Sequence, residues 1–178
     1  MSFKFITPIF AFAILLINSS SLLAESYAFI TNQLDGNVAV IDLQSNQVIK
    51  SIAVKGKPVG VAVNHQLKQV YISTPEGAGF VVIDIASLQQ TKQVKVGGAS
   101  VGIAVSPDGK RIVVADWYEN TVSIFNSADL QLEKKLTVGK SPSGVVISPD
   151  NRWLYVANRM DDTISQIDLR TFRVRNTT

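Results

Sequence analysis

The chain has 178 residues, of which 46% are hydrophobic, enough for a core of packed sheets. Its 17 basic and 14 acidic residues leave a net charge of +3, too small for a nucleic-acid or strongly membrane-directed surface. It has no cysteine and a single histidine, which excludes disulfides and lipoprotein attachment and leaves little to hold a transition metal.

In chain order, residues 1–24 come first. Lys4 gives a minimal positive start, residues 5–17 are apolar apart from Thr7 and Pro8, and Leu22-Leu23-Ala24 precedes Glu25. This pattern predicts a secretory signal peptide cleaved after Ala24 and a periplasmic or secreted protein. The apolar run is shorter than the roughly 20 residues a spanning helix needs.

From Tyr27 onward a unit of 42 residues repeats without insertion. Asp42, Asp84, Asn126 and Asp168 keep that step; so do Gly60, Gly102 and Gly144, and so do Phe29, Tyr71, Val113 and Tyr155. Within one unit, Ile112-Val113-Val114-Ala115 is an apolar run, Thr121-Val122-Ser123-Ile124-Phe125 alternates, and short extended stretches follow around Leu136 and Val146. These are four short strands, called A to D here, separated by turns such as Ser106-Pro107-Asp108-Gly109. No window has a sustained helical period, so no helix is expected after residue 24. Four antiparallel strands per repeat of this length predict an all-β fold, a β-propeller of four-stranded blades. A β-sandwich would not keep columns at a constant step, and a β-helix has a shorter coil.

The repeat resembles the YVTN family of β-propeller proteins. Its naming motif stands as Leu154-Tyr155-Val156-Ala157-Asn158, followed by the run from Asp162 to Leu169. The family's proline-glycine run stands as residues 100–109 and 142–151, and more weakly from Pro58 to Asn64. The resemblance implies the propeller fold. It leaves function open among cell-surface proteins, periplasmic accessories of quinone-dependent oxidation, haem-binding nitrite reductase domains and lactonases.

The blades divide as residues 27–55 (strands B, C and D only), 58–97, 100–138 and 142–175, about 3.75 blades in all. Propellers close a ring of 4–8 blades, so the expectation is an incomplete ring. Three readings stay open: a truncated piece of a propeller of about seven blades, a half ring completed by a partner chain or a second copy, or an open arc.

In a propeller the B–C and D–A loops share the face that usually carries the ligand site. There Trp117, Tyr118, Arg159 and Met160 stand out because the repeat does not require them, and Lys57 and Lys140 lie in the D–A loops. Two readings stay open: aromatics beside Arg and Lys form a recognition patch for a protein partner or a small anionic ligand, or Trp117 and Tyr118 cover the blade edge and the charges are solvated. His65, in an A–B turn, falls on the opposite face. Asp35, Asp161 and Asp162 form no dense calcium loop. No nucleophile motif, paired carboxylates or phosphate loop is present, so no catalytic residue, metal or cofactor is assigned. The expected function is a binding or scaffold module without catalysis. The alternative is part of a redox-associated, haem-binding or lactonase-like propeller. Gly102 and Gly144 are expected where strand A leaves no room for a side chain, so that Gly144→Val should be destabilising.

Overall fold

A computed structural model describes residues 26–177; the expected signal peptide lies outside them. The first sheet is a three-stranded meander of β1 (Tyr27–Asn32), β2 (Asn37–Asp42) and β3 (Gln47–Ala53). The second holds β4 (Val61–Asn64), β5 (Gln69–Thr74), β6 (Gly79–Asp84) and β7 (Gln89–Lys95). The third holds β8 (Ser100–Val105), β9 (Arg111–Asp116), β10 (Thr121–Asn126) and β11 (Leu132–Thr137). The fourth holds β12 (Pro142–Ile147), β13 (Trp153–Asn158), β14 (Thr163–Asp168) and β15 (Arg173–Thr177). All pairings are antiparallel between chain neighbours, for example Val122↔Ala115 and Ile124↔Val113. The protein is an all-β propeller of such blades.

The core lies between the sheets, in three apolar seams. Val38, Val40 and Ile52 of the first blade meet Val70, Ile72, Val81 and Ile83 of the second. Tyr71, Phe80 and Val82 then meet Ile112, Val114 and Phe125. Val113, Ala115, Val122 and Ile124 meet Leu154, Val156 and Ile167. Side chains alternate across a strand, so successive residues of β5 and β9 enter opposite seams. That is why these strands read as unbroken apolar runs: both faces of a middle blade are buried. Tyr71, Phe80 and Phe125 pack edge to face, with centroids 6.0 and 5.4 Å apart.

The turns follow the repeat. Asp42 Oδ1 accepts the N–H groups of Gln44 and Ser45 at 2.8 Å, and Asp84 Oδ1 accepts that of Ser87 at 2.7 Å. The aspartate column therefore closes the C–D turn, as its position implies. On the A–B side each turn holds its neighbour: Asn64 Nδ2 donates to the Gly109 carbonyl at 2.8 Å, and the Asp108 N–H donates to Asn151 Oδ1 at 2.9 Å.

Three expectations need correction. A short 3-10 turn, Pro75–Gly77, interrupts the second blade where none was expected; the fixed φ of Pro75 starts it and Ala78, at φ 53, ends it. The last strand is Arg173–Thr177, later than the expected stretch at residues 171–174, because Phe172 turns the chain at φ 55. Gly144 is not crowded: a Cβ there would meet only Ala157 Cβ at 3.5 Å. A Cβ on Gly102 would collide with the Ser143 carbonyl, and one on Gly60 would lie 2.7 Å from the Val101 carbonyl. The glycines are required where the inner strand of the next blade passes over them.

Candidate functional site

Each B–C loop leaves its strand from one column: Asn32, Thr74, Asp116 and Asn158. The side chains of this column tie the loop down. Thr74 Oγ1 donates to the Gly79 carbonyl at 3.1 Å, and Asn158 Nδ2 donates to Thr163 Oγ1 at 3.0 Å. Asp116 Oδ1 accepts three N–H groups, from Ala99 and Tyr118 at 3.1 Å and Glu119 at 3.0 Å. Each loop then ends on a left-handed residue: Gly36, Ala78, Asn120 or Asp162. Between these supports lie two columns of loop-tip residues, Gln33, Pro75, Trp117, Arg159 and Leu34, Glu76, Tyr118, Met160.

The D–A loops rise beside them. The Trp117 N–H donates to the Ala99 carbonyl at 2.9 Å, and the Arg159 and Met160 N–H groups donate to the Ser141 and Lys140 carbonyls at 3.2 Å. Lys57, at φ 59, donates from Nζ to the Leu34 carbonyl at 3.1 Å and so joins the first two blades. A cavity of about 510 Å³ opens between these loops, walled by Lys57, Glu76, Trp117, Tyr118 and Gln33, with Val59 and Val101 near the inner strands. A second, of about 310 Å³, adjoins it through Lys57 and Glu76.

The structure brings the six expected residues to one face but does not treat them alike. Lys57, Trp117 and Tyr118 share the larger cavity. Arg159 lies over the Trp117 ring, its guanidinium carbon 5.6 Å from the ring centroid. Trp117 is half-buried, whereas Tyr118 is 76% and Met160 65% exposed. Lys140 stands apart from the cavity, with Nζ 3.7 Å from Asp161 Oδ1. Gln33, Pro75 and Glu76 were missed by sequence reasoning. Their signal was present: they occupy the same two loop-tip columns as Trp117 and Tyr118, and in both columns all four units differ.

The face can therefore offer an aromatic wall, a cation held against that wall and charges of both signs from Lys57 and Glu76. It does not fit an iron ligated through imidazole or thiolate. The chain's one histidine, His65, is exposed in the β4–β5 turn, at the end of the blade away from the cavity.

Comparison with known proteins adds a family. The model of the cytochrome D1 heme domain matches residues 24–143. Among solved structures, Kuenenia stuttgartiensis hydrazine synthase is 28% identical with a TM-score of 0.79, over 85% of this chain and 45% of that one. U3-55K, at 12% identity and a TM-score of 0.75, covers 85% of this chain and 48% of its own, and shows the fold alone. The chain thus spans a little under half the length of these structures. No curated protein matches it. Among the described residues no helix is long and apolar enough to cross a membrane.

Proposed function

The chain belongs to the cytochrome D1 heme domain family, and from that premise we propose that it is a haem-associated β-propeller whose B–C/D–A face recognises a planar, anionic ligand. The observation that carries the reading is the Arg159–Trp117 stack beside the cavity lined by Lys57 and Tyr118. Trp117 and Tyr118 offer π-surface to a ring, and Arg159 offers its planar donors to a carboxylate. A tetrapyrrole with acidic side arms has both features. The chain's own residues hold the periphery of such a ligand and not its metal, since no histidine or cysteine stands on this face. The proposal keeps the periplasmic or secreted location read from residues 1–24.

Titration with ferric protoporphyrin and with metal-free protoporphyrin, followed by tryptophan quenching and by the Soret band, tests this. Both should bind with similar affinity. Trp117→Ala and Arg159→Ala should each weaken binding by about tenfold, in line with ~1–2 kcal/mol for a stacked or cation–π contact. His65→Ala should change nothing. Absence of binding, or binding that depends on His65, would overturn the reading.

A second reading is a protein-docking module without catalysis. It is favoured by the column Leu34, Tyr118 and Met160, which lifts three large apolar side chains into solvent at 86%, 76% and 65% exposure on separate loops of one face. Aromatic, Met and Arg residues are enriched at protein interfaces. Capture of one stoichiometric partner by the wild type and not by a Leu34→Ser/Tyr118→Ser/Met160→Ser variant would favour it.

A further inference from the structure

The column that ties down the B–C loops holds a second piece of chemistry. In the fourth blade Asn158 Nδ2 donates to Thr163 Oγ1 at 3.0 Å and to Ser165 Oγ at 2.9 Å. One repeat earlier, Thr121 and Ser123 occupy the corresponding places, but the residue facing them is Asp116. This carboxylate is fully buried. Its Oδ1 is saturated by three backbone N–H groups, yet its Oδ2 has no partner, and neither has Thr121 Oγ1 nor Ser100 Oγ.

The three orphaned oxygens form a row. Ser100 pairs with Asp116 across β8 and β9, and Asp116 pairs with Thr121 across β9 and β10. Directly opposed residues send their side chains to the same face of a sheet, with Cβ atoms about 5 Å apart. Gly98 covers the carboxylate so closely that a Cβ there would collide with it.

In the fourth blade the neutral Asn158 satisfies both hydroxyls from Nδ2, leaving only its own uncharged Oδ1 without a partner. The carboxylate instead leaves a charged oxygen out of water without a donor, which is costly unless a counter-charge enters. Two hydroxyls can turn their lone pairs inward beside it. The donor set is all oxygen with one negative charge, and hard cations prefer oxygen ligands. A single charge matches a single charge. We propose that Ser100, Asp116 and Thr121 bind a small monovalent cation, sodium or potassium, beneath the Trp117–Tyr118 loop. Because Asp116 also holds the Tyr118 and Glu119 N–H groups, the bound ion stiffens the wall of the cavity. The site does not depend on the haem reading.

Thermal melting of the full chain in sodium or potassium chloride, against choline chloride at equal ionic strength, tests the site. Binding to the folded state alone raises the melting temperature with concentration. Wild type should show a saturable rise of a few degrees specific to the small cation. Asp116→Asn should melt higher than wild type in choline and lose the specific rise. Thr121→Val, which keeps the carboxylate, should move the midpoint to about tenfold higher cation concentration. A wild type without a cation-specific rise, as expected if water fills the slot, would overturn the proposal, as would an equal rise in Asp116→Asn. Should that variant fail to fold, an unshifted midpoint in both Thr121→Val and Ser100→Ala would overturn it instead.

Discussion

At the scale of single residues, the glycine column shows how neighbours decide a cost. Gly102 sits under the Ser143 carbonyl, so Gly102→Val should destabilise by about 2–3 kcal/mol through overpacking. Gly144→Val should cost less than about 1 kcal/mol, since the nearest atom leaves ordinary contact room. Urea titration of the two variants side by side tests the difference. The repeat made these glycines look equivalent. Their difference comes from the adjacent blade, which a column of one-letter codes does not contain. Ala78 is the opposite case: it holds φ 53 in a column otherwise filled by Gly36, Asn120 and Asp162. Ala78→Gly should stabilise by roughly 0.5–1 kcal/mol, visible as a higher melting temperature, because the left-handed region costs alanine more than glycine.

At the scale of elements, Arg111 links two blades. Its Nε meets Glu133 Oε2 at 2.8 Å, its Nη1 donates to the Leu169 carbonyl at 3.1 Å, and its guanidinium lies 5.4 Å from the centroid of the Phe172 ring. Arg111→Ala should cost about 1–2 kcal/mol, mostly from lost packing and the carbonyl left behind, because the partly exposed ion pair contributes little. Arg111→Lys should recover only the ion pair. A denaturant series of the three proteins measures this. Strand identity was legible because Val and Ile recur with turn residues between them. The Pro75–Gly77 turn was not, because in that loop the second unit departs from the other three. The late start of β15 was hidden for a similar reason: Phe172 carries no turn signal, yet takes the left-handed place held by Asn46, Leu88 and Leu130 in the other units.

At the scale of the whole molecule, acid sensitivity follows from the repeated turns. Asp42 is held below the usual carboxylate range first by the Ser45 N–H, Asp84 first by the Ser87 hydroxyl, and Asp168 first by the Arg170 N–H. Each is more acidic folded than unfolded. The stability they confer is present above the unfolded value near 3.8 and is lost as the pH falls below it through the folded one. Unfolding midpoints should stay flat from about pH 5 to 7 and drop below about pH 4. Asp42→Asn/Asp84→Asn/Asp168→Asn should shrink that acid limb without removing it, since Asp108 and Asp150 are lowered too. The third blade already carries the neutral form, Asn126, whose Oδ1 accepts the Ala128 N–H at 2.9 Å.

The site was legible only in part at this scale. Trp117 and Tyr118 stood out as departures from the repeat and Lys57 as a charge in a D–A loop, and the three line one cavity. Glu76 and Gln33 share the loop-tip columns of Trp117 and Tyr118, but only the folded loops bring them beside Lys57. The orphaned oxygens of Ser100 and Thr121 needed strand register to be seen together.

The left-handed positions carry one more consequence. They fall on the same rungs of every unit, at residues 36, 78, 120 and 162 and at 46, 88, 130 and 172, whatever side chain stands there. Backbone spacing, more than residue identity, therefore sets where the chain reverses. Unequal crossing-over in the encoding DNA that adds or deletes a whole 42-residue unit would bring every reversal back into phase, whereas one that adds part of a unit would put them out of step. Blade number can thus drift by integers while loop tips diverge freely, a route by which one lineage can assemble rings of different size around different cargo.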